Sequence, residues 1–242
     1  MAETNTQKII NQLKPEILKV VTARLSVVSS GTHDIAIAWK NMQDGAADEI
    51  RNLLQKHLPD SAITSPTTKS TYPDIKISNK EGLFAIDLKA NEDTKDPWFD
   101  MARLDTFVER RINKYVEEWE LVVKYRTADG KFIKAYFELF RDAAGIRAEC
   151  NGVKFRAKDG NIRPKSWVDF DSGKTYWDTK ENFLEGIERS LKHRWKINIQ
   201  KHLVPVLTKE EIDEFKKLFD GEIKLPDEPD DENGETTPDL FS

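Results

Sequence analysis

Two aspartates and a lysine stand close together in the stretch YPDIKISNKEGLFAIDLKA, residues 72–90. Asp74 precedes one short apolar segment, and Asp87 and Lys89 close the next one. Paired carboxylates can bind a divalent cation such as Mg²⁺, which takes few carboxylate oxygens and completes its shell with water and phosphate. A lysine beside that cation can hold a phosphate oxygen or help to orient a water molecule. The three residue types therefore predict a metal site that handles phosphate.

The two aspartates face each other if the stretch forms a β-hairpin. A turn at NKEG, residues 79–82, pairs Ser78 with Leu83. Because strand side chains alternate between faces, one face is then apolar and carries Ile75, Ile77, Phe84, Ile86 and Leu88. On the other face Asp74 lies opposite Asp87, where Cβ atoms are roughly 4.5–5.5 Å apart and like charges destabilise. A bound cation would relieve this repulsion; a solvated, charged strand face is the alternative.

A third carboxylate comes from the preceding helix. In DGAADEIRNLLQKHLPD, residues 44–60, apolar residues recur at helical spacing, and Asp44 is placed to cap the N-terminus. Glu49 lies at the edge of the apolar stripe on a helical wheel. If the helix packs on the strands, we expect Glu49 to face the same cleft.

The order of predicted elements gives the fold class. Helices are predicted over residues 5–28 with a break near Pro15, from Asp44, from Pro97 with Asp96 as cap, over about 179–202, and from Thr208 with Glu211 completing a capping box. Strands are predicted at SAITS, YPDIKIS, LFAIDLKA, WELVVKYR and KFIKAYFELF, and residues 145–178 alternate short strands and loops. We expect a mixed α/β domain with a mixed central sheet flanked by helices.

Acid-x-Lys tripeptides are common in this chain, so the context of Asp87-Leu88-Lys89 matters more than its letters. It closes an apolar strand, and a Pro-Asp strand precedes it in register. Pro73-Asp74 followed by Asp87-Leu88-Lys89 resembles the signature of the PD-(D/E)xK nuclease superfamily, with YPDIKI…FAIDLK most similar to EcoRV-type restriction endonucleases. The resemblance covers about residues 44–126 and implies an αβββαβ restriction-endonuclease-like core.

The resemblance implies Mg²⁺-dependent hydrolysis of double-stranded DNA that leaves 5′-phosphates, with Mn²⁺ able to substitute. It implies that Asp74, Asp87, the Leu88 carbonyl and Glu49 are metal ligands, and that Lys89 is catalytic. We expect a sequence-specific type II endonuclease, and cutting both strands of a palindrome predicts a homodimer. A structure- or mismatch-specific repair nuclease on the same fold, and a DNA-binding module without catalysis, are the alternatives.

Several basic and amide side chains are predicted to contact DNA. Arg103, Arg110 and Lys114 share one side of the helix expected from Pro97 and could follow phosphates; a solvated helix face is the alternative. The loop KDGNIRPKSWVDFDSGKTYW brings further candidates of types that read base edges. The set is Asn91, just after the catalytic strand, with Asn161, Arg163, Lys165 and Lys174.

Charge divides the chain into two parts. Residues 220–242 hold nine acidic residues and one lysine, a net charge of −8, which leaves +3 for residues 1–219 of a chain whose total is −5. We expect one nuclease domain over residues 1–219, with recognition or dimerisation elements at about 127–202, and an acidic disordered tail.

Other classes of function and location find little support in the sequence. The single cysteine, Cys150, fits a reducing compartment, and no signal peptide or membrane-spanning run is evident. We therefore expect a cytoplasmic protein without membrane contact. The four histidines show no paired metal-ligand spacing, and no phosphate-binding glycine loop suggests a nucleotide cofactor.

Overall fold

The structure is a computed structural model. It describes residues 3–28, 35–66, 72–93, 96–198 and 201–202, with a few isolated positions between 208 and 214. The chain divides into one compact unit over residues 1–194 and a second over residues 195–242. The predicted tail, residues 220–242, lies outside the described residues.

A five-stranded mixed sheet forms the centre of the first unit. Its strands are β1 (Ala62–Thr64), β2 (Ile75–Asn79), β3 (Gly82–Glu92), β4 (Glu117–Tyr125) and β5 (Phe132–Leu139), and they lie side by side in that order. Strands β3 and β4 run parallel, and the other neighbours are antiparallel. The mixed α/β fold with a mixed sheet between helices is thus confirmed.

The β2–β3 hairpin has the predicted register. The register pairs Ser78 with Leu83, Ile77 with Phe84 and Ile75 with Ile86. All five apolar residues assigned to one face are buried in a single core cluster: Ile75, Ile77, Phe84, Ile86 and Leu88. The face of the hairpin that buries its apolar side chains was therefore correctly predicted, because turn position and alternation together fix a hairpin's register.

Two long helices cover this apolar face. Helix α1 (Asn5–Val28) and helix α2 (Ile35–His57) contribute apolar side chains to the same core cluster as the hairpin. Helix α1 continues through Pro15 without the predicted break. Helix α2 begins at Ile35, so the prediction that Asp44 caps it was wrong: Asp44 lies inside the helix.

The opposite face of the sheet carries a second, largely aromatic core. Val122 of β4 and Tyr136 of β5 pack there against side chains from later parts of the chain. These come from helix α3 (Leu104–Thr106) with the π-helical turn Phe107–Arg111, helix α4 (Phe140–Ala143), strands β6 (Ile146–Arg147) and β7 (Gly152–Val153), helix α5 (Trp167–Ser172) and helix α6 (Lys180–Asn198).

The helix expected from Pro97 is much shorter than predicted. Residues 97–102 are not helical; Pro97, Phe99 and Met101 are buried and the residues between them are more exposed, which is the alternation of an extended chain. The backbone of residues 101–104 pairs with residues 160–162, with the Met101 amide donating to the Ile162 carbonyl. Pairing with a distant segment has therefore overridden the local helix signal.

The later helices agree better with the sequence. Helix α6 begins at Lys180, one residue after the predicted start, and Thr208 and Glu211 exchange the two hydrogen bonds of the predicted capping box. Helix α5 was missed, although Ser166 and Asp169 form a capping box that its sequence foreshadows. Among the described helices, none is long and apolar enough to cross a membrane.

Candidate active site

The hairpin brings the three motif residues into contact. The Lys89 Nζ atom lies 2.6 Å from Asp87 Oδ2. The Leu88 amide donates a hydrogen bond of 2.7 Å to Asp74 Oδ2, and the side chains of Asp74 and Asp87 are hydrogen-bonded to each other. The two carboxylates and the lysine predicted from the sequence therefore form one cluster at the start of β2 and the middle of β3.

Asp74 holds its proton more tightly than an ordinary aspartate. Burial, followed by the negative charge of Asp87, raises the pKa of Asp74 from 3.8 to about 6, although the Leu88 amide works in the other direction. A hydrogen bond between two carboxyl groups needs a proton between them. The pair thus binds a proton more tightly than a single carboxylate does. This is expected for two carboxylates in close contact without a cation.

A third carboxylate, Glu120, stands next to Asp87 on the neighbouring strand. The parallel register of β3 and β4 pairs Asp87 directly with Glu120, so both side chains project from the same face of the sheet. Glu120 is 0% exposed, and neither of its carboxylate oxygens has a hydrogen-bond partner among the described residues. Burial first, and then the charge of Asp87, hold the pKa of Glu120 well above its usual value.

Lys89 lies within the field of all three carboxylates. Burial opposes its charge, but Asp87, Glu120 and Asp74 outweigh that effect and raise the pKa of the ammonium group. Lys89 therefore stays charged in the cluster. Its side chain keeps 25% of its surface exposed, so solvent reaches part of it.

A second ion pair borders the cluster. The guanidinium of Arg111 bonds to the carboxylate of Glu118, and the Tyr72 hydroxyl donates to the same carboxylate. The guanidinium also stacks on the Tyr72 ring, with its carbon 3.5 Å from the ring centroid. Tyr72 is two residues before Asp74 in the chain, so this arrangement fixes the segment that presents Asp74.

The buried charges of the cluster do not balance. Its carboxylates are Asp74, Asp87, Glu118 and Glu120, and its cations are Lys89 and Arg111. With every group ionised, the cluster is two positive charges short. Buried charges are expensive unless paired, and burial, followed by the negative charge of Asp87, raises the pKa values of Asp74 and Glu120.

In this conformation, the carboxylates of the cluster do not by themselves form a complete set of metal ligands. Among the described residues, no group of three or more His, Cys, Asp and Glu side chains could hold a metal ion. The pair formed by Asp74 and Asp87 matches the small carboxylate number that Mg²⁺ uses when water and phosphate supply its other ligands.

Glu49 does not make a described contact with the cluster. Helix α2 packs its apolar side chains into the core on the sheet face opposite to that of Asp87 and Lys89. Glu49 is partly buried and makes no hydrogen bond or ion pair with the described residues. Its assignment as an accessory acid stays a prediction.

Three of the predicted DNA-contacting residues are buried and engaged elsewhere. Lys165 is 1% exposed; it lies 2.6 Å from Glu138 Oε2 and donates to the Lys174 carbonyl. Arg163 is buried with its Nη1 atom 2.8 Å from Asp100 Oδ1. Asn91 is buried, and its Oδ1 atom accepts the Trp98 amide at 3.0 Å. In this conformation these three side chains hold the fold together, and their assignment as DNA contacts stays a prediction.

The predicted basic stripe is not a helical stripe. Arg103 precedes helix α3 with an extended backbone and pairs with Asp105 at 2.7 Å, while Lys114 lies beyond the end of the π-helical turn. The side chain of Arg110 lies outside the described residues. The prediction that these residues share one side of a helix assumed one continuous helix over this segment. That prediction was wrong. Asn161 donates to Asp100 at 2.7 Å, and Lys174 stays exposed beside Tyr176.

Sequence reasoning missed Tyr72, Arg111, Glu118 and Glu120. The signal for the last two was present: EEWELVV, residues 117–123, alternates acidic with apolar residues over its first part. That pattern places Glu118 and Glu120 on the face away from Trp119 and Leu121. Their position beside Asp87 also requires the parallel register of β4, which no local pattern specifies.

Comparison with known proteins does not assign a family to this chain. No protein-family model matches it, and no curated protein matches it.

Proposed function

We propose that the protein is a Mg²⁺-dependent nuclease of the PD-(D/E)xK superfamily that cuts double-stranded DNA at specific sequences. The single observation that carries this proposal is the cluster around Asp74, Asp87 and Lys89, which lacks two positive charges when all of its carboxylates are ionised. A divalent cation supplies that amount. Such a cluster is costly for a purely structural site, because buried charges without partners destabilise a fold.

The fit to Mg²⁺ rests on the donor atoms present. Asp74 and Asp87 share a proton-dependent hydrogen bond, and a cation would replace that proton. These carboxylates and the Leu88 carbonyl would hold the ion, and water and a DNA phosphate would complete its shell. When bound, Mg²⁺ supplies a water of lowered pKa and neutralises part of the charge of the phosphate.

The residues of the chain then have separate tasks. The Leu88 amide holds the Asp74 carboxylate in place through its 2.7 Å hydrogen bond. Lys89 remains an ammonium group and stabilises the negative charge that builds on the phosphate oxygens as the bond to the leaving oxygen breaks. Tyr72 and Arg111 keep the segment before Asp74 in position.

The topology around the cluster supports the superfamily assignment. Helix α2, the three antiparallel strands β1, β2 and β3, the short helix α3 and the parallel strand β4 follow in the order helix, three strands, helix, strand. The αβββαβ core implied by the motif has this same order. Asp74 directly precedes the second strand of the series, and Asp87 and Lys89 lie on the third.

Cleavage of a long DNA tests the proposal. The protein is incubated with a circular plasmid and with phage DNA in Mg²⁺, and the products are resolved on a gel. The three controls are EDTA, Asp87→Asn, and Asp129→Asn, which changes a carboxylate in the turn between β4 and β5. We expect discrete fragments with the native chain and with Asp129→Asn, and none with EDTA or Asp87→Asn. End analysis is expected to show 5′-phosphates.

The other outcomes separate the alternatives. Nicked circles or a smear with the same dependence on Mg²⁺ and Asp87 would indicate a nuclease that recognises DNA structure rather than sequence. DNA binding without cleavage in Mg²⁺ or Mn²⁺ would indicate a non-catalytic module. Absence of both binding and cleavage would refute the assignment. Because cutting a palindrome requires two sites, sedimentation of the active form is expected to give a homodimer.

A further inference from the structure

We propose that Glu120 is a positioning residue that receives the ammonium group of Lys89 when a cation occupies Asp87. This inference rests on the proposed function, and it adds to the site a residue that the motif does not contain. Its basis is the contrast between Glu120 and the other carboxylates that project from the same face of β3, β4 and β5.

Glu120 is the carboxylate of this row that lacks a partner. Asp87 is paired with Lys89, Glu118 with Arg111, and Glu138 with Lys165. Among the described residues, neither oxygen of Glu120 accepts a hydrogen bond, although the side chain is fully buried. A fully buried carboxylate without a partner is rare and calls for an explanation.

The strand register places Glu120 within reach of Lys89. Asp87 and Glu120 are paired across the parallel strands β3 and β4, which are about 4.8 Å apart. Lys89 follows Asp87 by two residues and so projects from the same face. Its ammonium group lies at Asp87 in the structure and within the electrostatic field of Glu120.

A cation at Asp87 forces Lys89 to change partner. The Nζ atom is 2.6 Å from Asp87 Oδ2, the oxygen that a cation would share, and a divalent ion and an ammonium group repel each other at that distance. Glu120 gives the displaced ammonium group a buried partner and keeps it beside the phosphate. Without Glu120, the partly exposed Lys89 side chain is free to turn outwards to solvent.

A role for Glu120 as a direct ligand of the cation fits the structure less well. As placed, no three acidic, histidine or cysteine side chains among the described residues could hold a metal ion together. Glu120 is therefore assigned to Lys89 and not to the cation.

The first test is a double-mutant cycle on DNA cleavage. Lys89→Met is expected to lower kcat about 100- to 1,000-fold, as for loss of one charge-stabilising donor. Glu120→Gln, which keeps the shape and removes the ionisable carboxyl group, is expected to lower kcat about 10- to 100-fold. This substitution should change the half-saturating Mg²⁺ concentration and the DNA affinity by less than about 2-fold. When it is combined with Lys89→Met, kcat should fall by less than about 2-fold below that of Lys89→Met alone.

Two results of this cycle would overturn the inference. An equal loss from Glu120→Gln with and without Lys89→Met would show that the two residues act independently. A 10-fold or larger rise in the half-saturating Mg²⁺ concentration would make Glu120 a ligand of the cation.

The second test does not depend on nuclease activity. Asp87→Asn removes the competing charge without any metal, so Lys89 should then pair with Glu120. In that background, Lys89→Met is expected to lower Tm by about 3–6 °C when Glu120 is present, and by less than about 1 °C after Glu120→Gln. The matched control is Glu138→Gln, one strand further along and already paired with Lys165; it should leave the effect of Lys89→Met unchanged.

The stability cycle separates the inference from the proposed function. If the protein cleaves no DNA but the cycle shows the expected coupling, the nuclease proposal fails and the pairing of Lys89 with Glu120 stands. If Lys89→Met has the same effect on Tm whichever residue occupies position 120, the inference fails whether or not DNA is cut.

Discussion

Replacing Asp74 with asparagine should stabilise the protein at neutral pH and leave its stability unchanged in acid. The raised pKa of Asp74, about 6 against 3.8 for a free aspartate, means that the folded chain resists ionisation of this group. Asparagine has the same shape, can still accept the Leu88 amide, and has no charge to lose. The hydrogen bond of 2.7 Å to that amide is therefore expected to survive the substitution.

The size of the effect follows from the shift. A difference of about 2 pKa units corresponds to about 3 kcal/mol at most. Because Asp74 is only partly buried, solvent screening reduces this figure to about 1–2 kcal/mol. For a domain of this size, that amount raises Tm by about 3–6 °C.

The pH dependence has a defined sign. Below about pH 4, Asp74 carries its proton in the folded and the unfolded chain, so it costs no stability. Between about pH 4 and 6 the unfolded chain loses the proton first, and the folded native chain loses stability relative to the variant. Above about pH 6 the difference between the two proteins is complete and constant.

Thermal unfolding without divalent cations checks this prediction. Native protein and Asp74→Asn are compared at pH 4.0, 5.0, 6.0 and 7.5, with Asp129→Asn as a carboxylate control outside the cluster. We expect the difference in Tm between native and Asp74→Asn to grow from near zero to the full value across this series. A variant that is less stable than the native chain at pH 7.5, or a difference that does not change with pH, would refute the electrostatic interpretation of the pair.

Three further predictions concern the cation, the neighbouring ion pair and a helix cap. Addition of 10 mM Mg²⁺ should stabilise the native protein by about 1.4 kcal/mol if the dissociation constant is about 1 mM, and should not stabilise Asp87→Ala; equal shifts in thermal unfolding would place the ion elsewhere. Arg111→Met should lower the free energy of unfolding by about 3–5 kcal/mol, because it leaves the buried Glu118 carboxylate without its cation; urea denaturation measures this, and a loss below about 1 kcal/mol would contradict it. Ser166→Ala should cost about 1 kcal/mol by removing the cap of helix α5, again measured in urea, with Ser172→Ala at the other end of the helix as a control that should cost less.

The hairpin and its motif could be predicted because their determinants are local. Turn residues and strict alternation fix which residues of β2 and β3 pair and which face each side chain takes. The contact between Asp74, Asp87 and Lys89 follows from that register alone. The order of helices and strands was also readable, since apolar periodicity marks each long element.

Features that depend on contacts between distant parts of the chain could not be predicted from the sequence. Glu120 reaches Asp87 because β4 lies parallel to β3 in one register, and the connection between them sets that register. The sequence predicts a helix from Pro97 because the pairing of residues 101–104 with residues 160–162 leaves no local signal. The ion pair of Lys165 with Glu138 could not be predicted, because Glu138 is on a strand 27 positions earlier in the sequence.

Conversion of supercoiled plasmid to cut product over a Mg²⁺ titration tests the proposed cation-dependent nuclease most directly. The native chain, Asp87→Asn and Asp129→Asn are compared at equal concentration, with initial rates read from the gel. We predict rates that rise with Mg²⁺ and saturate for the native chain and Asp129→Asn, and a rate at least about 100-fold lower for Asp87→Asn. Cleavage that continues at the native rate in Asp87→Asn, or a native chain that cuts nothing at any Mg²⁺ concentration, would contradict the assignment of this cluster as a nuclease active site.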